Sequence, residues 1–188
     1  MLITYSSFRE EFAMSENIED VRLKASIEEA QNFDIKKVIG DAFFYDVDTK
    51  YNASPADADI VKLVEGGTYL DCQGNTVYFD GLAKAVKYYA LARYRKKQPI
   101  NDTAFGVVFK NDNYSTPLDY KTLNASIEDA RASGLGYLND VLKFLNESKE
   151  TYPLYKLNSD NKRRPLRIIA VDNLPKYTNR RITRYKID

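Results

Sequence analysis

Two closely spaced pairs of aspartates are the residues of this chain whose type and spacing first suggest chemistry. Asp46 and Asp48 form one pair, and Asp57 and Asp59 form the other. Carboxylate oxygens are the ligands that calcium and magnesium prefer. The first pair, however, lacks the glycine and the distal glutamate of a calcium-binding loop. The second pair falls in the first turn of a predicted helix, where acidic residues are favoured by the helix dipole. We therefore predict helix capping here and no bound metal.

The side chains that most often act as nucleophile or base are almost missing. The chain has one cysteine, Cys72, and no histidine. A cysteine nucleophile needs an activating base or a lowered pKa, and the sequence offers neither. It also lacks the phosphate-binding Gly-x-x-x-x-Gly-Lys-Ser/Thr and the Gly-x-Ser-x-Gly motifs. We predict a protein that is not an enzyme and that binds no cofactor, metal or nucleotide. An enzyme that uses tyrosine, lysine or aspartate chemistry is kept as a third alternative.

Charge is divided unevenly along the chain. Residues 160–188 hold nine Lys and Arg against three Asp, a net charge of +6. Because the whole chain carries +1, the remaining residues carry −5. The fifteen tyrosines add large side chains with one polar tip, which suit protein interfaces. The sequence therefore predicts an acidic body with a basic tail.

The basic tail has three interpretations: binding nucleic acid through phosphates, docking on a protein surface, or a solvated terminus. Aliphatic and aromatic residues are interleaved with its arginines, which favours docking on a partner protein. The strand-like piece with Ile168, Ile169 and Val171 can add to the edge of a partner's sheet. Nine residues are the predicted docking residues: Arg163, Arg164, Arg167, Ile168, Ile169, Tyr177, Arg180, Arg181 and Arg184.

The elements that position these residues are mainly helices. A Ser7-x-x-Glu10 capping box predicts a short helix that buries Phe8 and Phe12. Apolar residues at helical spacing then predict four further helices, which cover residues 16–39, 54–66, 81–97 and 117–147. Ser54-Pro55 is the predicted start of the second of these, and Asp80 the predicted cap of the third. Gly134 and Gly136 are expected to interrupt the last one.

The helix predicted for residues 16–39 is apolar on two sides. Four apolar residues share one face at helical spacing: Leu23, Ile27, Ala30 and Val38. Four others lie roughly opposite: Ile18, Val21, Ala25 and Ile39. A helix of this kind is central in a bundle or packs on a neighbouring subunit as well.

Two segments have the pattern of strands. Residues 69–72 and 76–79 flank a Gln73-Gly74-Asn75 turn and predict a small β-hairpin. The apolar run from Phe105 to Phe109 lies in a long polar loop, where it is either a core strand or a projection that neighbouring subunits cover. On the second interpretation four residues form the contact between subunits: Phe105, Val107, Val108 and Phe109.

Together these patterns predict a mainly α fold. Residues 1–155 are expected to form a bundle of three to four main helices with a small β-hairpin and a long loop. Residues 156–188 are expected to form the extended basic docking tail. The first six residues lack the features of a signal peptide, and no apolar stretch reaches the length of a membrane span. We therefore expect a protein of the cytosol that does not contact a membrane.

Three stretches carry a resemblance to a known family. One is the early helix in which Ala30-Gln31 leads to Val38-Ile39-Gly40-Asp41. Another runs from Gly67-Thr68-Tyr69 to Gly81-Leu82-Ala83-Lys84-Ala85. The third is Thr103-Ala104-Phe105-Gly106-Val107-Val108, followed by Ser115-Thr116-Pro117 and the last long helix. Over about residues 5–155 the sequence resembles the head–tail connector, or adaptor, proteins of tailed bacteriophages, particularly the neck ring proteins of crAss-like phages.

This resemblance implies a helical-bundle subunit of a closed ring, usually twelvefold, under the portal. DNA passes through such a ring, C-terminal segments commonly extend onto the portal, and there are no catalytic residues to carry over. We therefore expect a structural virion protein of the neck, present in the host cytoplasm during assembly. Its expected partners are itself, the portal, another neck or tail ring protein, and DNA that passes without sequence-specific binding. The alternative function is a nucleic-acid-binding protein that uses its basic tail.

Overall fold

Helices dominate the part of the chain that the structure describes. The computed structural model describes residues 1–15, 20–98, 100–103, 106–109 and 119–155, all within the unit Met1–Leu157. The helices are α1 (Tyr5–Glu11), α2 (Asp20–Glu29), α3 (Lys36–Ile39), α4 (Asp41–Tyr51), α5 (Ala58–Glu65), α6 (Gly81–Lys97) and α7 (Tyr120–Glu147). A π-helical segment, Ala30–Ile35, joins α2 to α3. The prediction of a mainly α fold is confirmed.

Two antiparallel hairpins interrupt the helices. Strand β1 (Gly67–Leu70) pairs with β2 (Thr76–Phe79), which confirms the predicted hairpin. Its turn is held by Asp71, whose Oδ1 accepts the backbone N–H groups of Gln73 and Asn75 at 2.9 and 2.8 Å. Strand β3 (Ile100–Thr103) pairs with β4 (Gly106–Phe109), so most of the predicted apolar run is a strand and the long loop contains a second hairpin.

Two helices begin at caps other than the predicted ones. Helix α1 is capped by Thr4, whose hydroxyl oxygen accepts from the Ser7 N–H at 3.2 Å. Helix α5 is capped by Asp57, whose carboxylate accepts from the Asp59 N–H at 3.0 Å. The predicted starts at Ser7 and Ser54-Pro55 are therefore wrong. In each case the true cap lies three residues away from the predicted one, and capping preference alone does not separate two such acceptors.

The π-helical segment changes which residues face the core. The buried residues of this region are Leu23, Ile27, Ala30, Ile35 and Ile39. The step of five residues from Ala30 to Ile35 is that of a π-helical turn, whereas an α-helix steps by three or four. The wide turn rotates all later residues, so Ile39 is buried and Val38 is exposed. The prediction that Val38 shares one face with Leu23, Ile27 and Ala30 is therefore wrong.

The core is centred on α6 and α7. Helix α6 buries Leu82, Ala85, Val86, Ala90 and Leu91, and α7 buries Ile127, Ala130, Leu138, Val141 and Leu145. Gly134 lies in the α7 stripe, where an added Cβ would come within 3.2 Å of the Tyr89 ring on α6. Helix α7 continues through both Gly134 and Gly136, so the predicted interruption is wrong. Gly134 is instead a point where the two helices pack closely.

The aromatic end of the core joins the hairpin, α4 and the residues after α7. Phe79 of β2 stacks on Phe144 of α7 with 4.4 Å between ring centroids. Tyr152 and Tyr155 are buried against Phe43 of α4, and the Tyr152 hydroxyl donates to the Asp59 carbonyl at 2.7 Å. The core thus continues beyond α7 to Tyr155. The predicted tail, residues 156–188, lies outside the described residues.

Candidate assembly surfaces

Helix α2 has an apolar side that no other part of the described chain covers. Its inner side, with Leu23 and Ile27, is buried against α6. On the outer side Val21 is 78% exposed and Ala25 is also exposed. The predicted second apolar side is confirmed for these two residues and wrong for Ile39, which is buried, while Ile18 lies outside the described residues. An exposed apolar stripe on a helix is a candidate for contact with another protein.

The β1–β2 hairpin has a second exposed apolar surface. Side chains alternate along each strand, and the pairing places Thr68 opposite Tyr78 and Leu70 opposite Thr76. These four residues form the outer face, on which Leu70 and Tyr78 are both 65% exposed. We call this surface the hairpin outer face. This face was not predicted from the sequence. The signal was available, because adjacent residues of a strand point to opposite faces, so Tyr69 and Leu70 cannot both be buried.

Phe33 of the π-helical segment is exposed, but its ring already makes cation–π contacts with two basic side chains. The Arg93 guanidinium and the Lys37 ammonium lie 5.5 and 5.4 Å from its ring centroid. Arg93 also donates from Nε to Asp34 at 2.6 Å, and this bond is the main cause that raises the pKa of Arg93. Glu29 pairs with both Arg93 and Lys97. These contacts tie the π-helical segment to α6, which is a structural role.

A cleft of about 470 Å³ lies between the N-terminal segment and α6. Its two lysines, Lys84 and Lys87, both pair with Glu11 of α1. Across the cleft, the Tyr51 hydroxyl donates to Glu65 at 3.1 Å. The lysines are thus already engaged by a carboxylate, so the cleft does not present an open anion-binding group.

The aspartate pairs act as structural residues. Asp46, Asp57 and Asp59 line one groove together with Lys50, which pairs with Asp46 at 2.9 Å. Asp57 caps α5 and Asp59 lies in its first turn, which confirms that this pair belongs to the start of a helix. Asp48 pairs with the N-terminal amine at 2.6 Å. Within the ranges that the structure describes, no three His, Cys, Asp or Glu side chains are grouped to hold a metal ion.

Burial raises the pKa of several tyrosines among the described residues. Burial is the main cause that raises the pKa of Tyr89, Tyr94 and Tyr155. Burial likewise raises the pKa of Tyr152, with Asp59 and Asp57 adding to the effect. A tyrosine that acts as a base needs the opposite shift. Cys72 is exposed in the hairpin turn.

Most of the predicted site residues lie outside the part of the chain that the structure describes. The nine predicted docking residues, from Arg163 to Arg184, lie outside the described residues, as does Phe105. Val107, Val108 and Phe109 belong to β4, paired with Asp102, Asn101 and Ile100, but their side chains also lie outside the description. The predicted docking and subunit contacts therefore stay predictions.

Comparison with known protein families gives a match over residues 35–165, which extends from the end of the π-helical segment through α7. The chain belongs to DUF6712, a family of unknown function. No curated protein and no solved structure matches this DUF6712 chain. Among the described residues, no helix has both the length and the apolar character needed to cross a bilayer.

Proposed function

We propose that this DUF6712 protein is a structural virion protein, an adaptor subunit of the ring that joins the portal to the tail in a bacteriophage neck. The proposal starts from the resemblance of residues 5–155 to head–tail connector proteins. In this setting the protein assembles with itself, with the portal and with another neck or tail ring protein. DNA passes through the ring without sequence-specific binding, and the protein has no catalytic role.

The observation that carries the proposal is the uncovered outer side of α2. Val21 is 78% exposed, and burying such a side chain contributes about 1.5–3 kcal/mol, so contact with another protein is favourable there. The hairpin outer face is a second surface of the same kind. A ring is closed by head-to-tail contacts, in which two different surfaces of each subunit meet. Two separate apolar surfaces are consistent with this requirement.

The mass of the purified protein, alone and mixed with its portal, tests the proposal. We expect a closed oligomer with portal, and either the same oligomer or a monomer without it. Val21→Asp should weaken self-association at least tenfold, because a charge on the outer side of α2 loses its hydration in the contact. The exposed Thr49 of α4 provides the control, since Thr49→Asp adds the same charge elsewhere. An assembled neck with a single copy of this protein contradicts the proposal.

The +6 charge of residues 160–188 favours nucleic-acid binding as a second candidate function. Salt separates the two candidates. Binding through phosphates releases counterions, so the affinity for duplex DNA should fall by orders of magnitude between about 50 and 200 mM salt. A contact made by aliphatic side chains should lose much less. DNA binding that is tight, steeply dependent on salt and lost on removal of residues 160–188 would favour the second candidate.

A further inference from the structure

The β1–β2 hairpin is a sheet with unpaired edges. In the described residues this sheet contains only β1 and β2, so each strand has one edge to which no strand is paired. Such edges offer backbone N–H and C=O groups to an additional strand, and a two-stranded sheet gains stability from a third. The hairpin outer face adds exposed apolar surface from Leu70 and Tyr78 beside these edges.

The hairpin is also acidic when it is taken together with the residues that flank it, Glu65 at the end of α5 and Asp80 before α6. Residues 65–80 contain Glu65, Asp71 and Asp80 and no lysine or arginine, a net charge of −3. The Asp71 carboxylate accepts hydrogen bonds from the turn, mainly from Asn75, which lower its pKa and keep it ionised. A strand that carries positive charge therefore suits this sheet better than a neutral or acidic one.

One segment of this chain has the matching composition. Residues 165–171 read Pro-Leu-Arg-Ile-Ile-Ala-Val, and Lys162, Arg163 and Arg164 precede them. Together residues 161–171 carry +4 with no acidic residue. Isoleucine and valine favour strands, and a proline is tolerated at a strand's first position. On a strand, Leu166, Ile168 and Ala170 share one face, which gives that face three apolar side chains.

We propose that residues 165–171 of one copy dock as an added strand on the β1–β2 hairpin of a second copy. Backbone hydrogen bonds to the open edge supply affinity, and the basic residues at 162–167 face the acidic hairpin. The nine residues between Tyr155 and Pro165 span up to about 3.3 Å each when extended, which is enough to reach an adjoining subunit. The proposal rests on the proposed function in that copies must meet. It assigns the first five of the nine predicted docking residues to a second copy and leaves Tyr177, Arg180, Arg181 and Arg184 for the predicted contact with the portal.

Disulfide trapping in the full chain tests this contact, because Cys72 in the hairpin turn is the only native cysteine. Wild-type chains are mixed with size-tagged chains that carry Cys72→Ser and either Leu166→Cys or Ala170→Cys. The two probes cover both strand directions. Under mild oxidation we expect a mixed disulfide with at least one probe, several-fold above the yield for Thr178→Cys in the same tail. The tag separates this product from wild-type dimers, and a disulfide forms only when the two Cα atoms come within about 7 Å.

A second pair of variants tests the surface. Leu70→Lys on the wild-type chain should reduce the mixed disulfide several-fold. It replaces an exposed leucine of the hairpin outer face by a positive charge, which repels the basic residues of the added strand. Tyr45→Lys is the matched control, since Tyr45 is 74% exposed on α4, and it should leave the yield unchanged.

Equal yields for Thr178→Cys and both probes, or no effect of Leu70→Lys, would overturn the strand proposal. So would a disulfide that forms only inside one chain that carries both cysteines. If the mass shows an intact oligomer but neither probe gives more mixed disulfide than Thr178→Cys, this inference is wrong and the proposed function is unaffected. Failure of the protein to self-associate, alone or with portal, counts against the proposed function itself.

Discussion

Glu11 connects the first helix to the centre of the molecule. It lies at the end of α1, and its two carboxylate oxygens bind Lys84 and Lys87 of α6. The bond to Lys84 is the largest of the effects that lower the pKa of Glu11, and Lys87 acts in the same direction. All three side chains are partly shielded from solvent, so their attraction is stronger than that of fully exposed pairs. Glu11 is therefore a residue whose charge stabilises the fold.

We predict that Glu11→Gln lowers the free energy of unfolding at pH 7 by up to about 1 kcal/mol, the usual upper range for pairs near the surface. A glutamate whose pKa is lowered by folding stabilises the protein above its unfolded pKa of about 4.3. That contribution is lost as the pH falls through the lower folded pKa. The difference between wild type and variant should thus be full at pH 7 and shrink below about pH 4.

Urea unfolding at pH 7 and at pH 3 measures this effect, and Glu10→Gln is the control. Glu10 is an exposed neighbour on the same helix, so its substitution should change little at either pH. A Glu11→Gln variant whose loss of stability is the same at both pH values would show that the ion pairs are not the cause.

At the scale of elements, the π-helical segment aligns two helical pieces that would otherwise face different ways. The buried residues Leu23 and Ile27 precede this segment in the chain, whereas Ile35 ends it and Ile39 follows it. In an uninterrupted α-helix the two pairs, twelve residues apart, would point about 120° away from each other, because each residue turns the helix by about 100°. The extra residue of the wide turn removes most of this offset. The buried side chain of Gln31 adds a hydrogen bond, since its Oε1 accepts from the Leu2 N–H at 2.8 Å.

This geometry predicts that deletion of Asn32 is tolerated. Asn32 is exposed, and its removal turns the five-residue step into an α-helical step of four, so both buried pairs stay on one face. We expect the free energy of unfolding to change by no more than about 1 kcal/mol, the typical size of a mild substitution. Circular dichroism with thermal or urea unfolding measures the outcome.

Deletion of Ala132 is the matched control. Ala132 is also exposed, but it lies within the regular helix α7. Its removal rotates Ile127 and Ala130 away from α6 by about 100°, so we expect a loss of several kcal/mol or no folding. Similar stability for the two deletions would mean that the wide turn does not set the register.

At the scale of the whole molecule, the described core ends before the basic tail begins. The last buried aromatic residues, Tyr152 and Tyr155, pack on Phe43 and complete the aromatic end of the core. The acidic charge is concentrated on α4, α5 and the first hairpin, where residues 41–80 hold eight acidic residues and two lysines. A basic tail and an acidic body in one chain favour contacts between copies or with other proteins.

We predict that a chain ending at residue 159 keeps the helical body but loses its contact with the portal. Every residue of the described core precedes residue 156, so the unfolding temperature should change by only a few degrees. The truncated chain also loses the +6 charge of residues 160–188, and with it the predicted docking residues. Circular dichroism and a pull-down with portal measure the two effects. Unchanged portal binding would contradict the docking prediction, and a large drop in unfolding temperature would place the tail in the fold.

The sequence by itself determined the features that depend on near neighbours. The long helices α6 and α7 are predictable because their apolar residues recur at helical spacing, and the first hairpin because Gln73-Gly74-Asn75 is a local turn signal. The exposed side of α2 was also visible at the level of spacing. The placement of Asp57 and Asp59 at the start of a helix was also predictable from the sequence, although the cap itself was predicted at Ser54.

Tertiary structure decided the features that depend on distant residues. The wide turn exists because Ile35 and Ile39 must reach the same core as Leu23, a condition that no local spacing expresses. Gly134 lies against the Tyr89 ring on another helix, where an added Cβ would come within 3.2 Å, and this close packing depends on a residue far away in the sequence. Tyr152 belongs to the core because Phe43 and the Asp59 carbonyl, about one hundred residues earlier, receive its ring and its hydroxyl. Sequence patterns report on residues that are close together in the chain. Which side chains are buried depends on contacts between elements that are distant in the sequence and meet only in the folded protein.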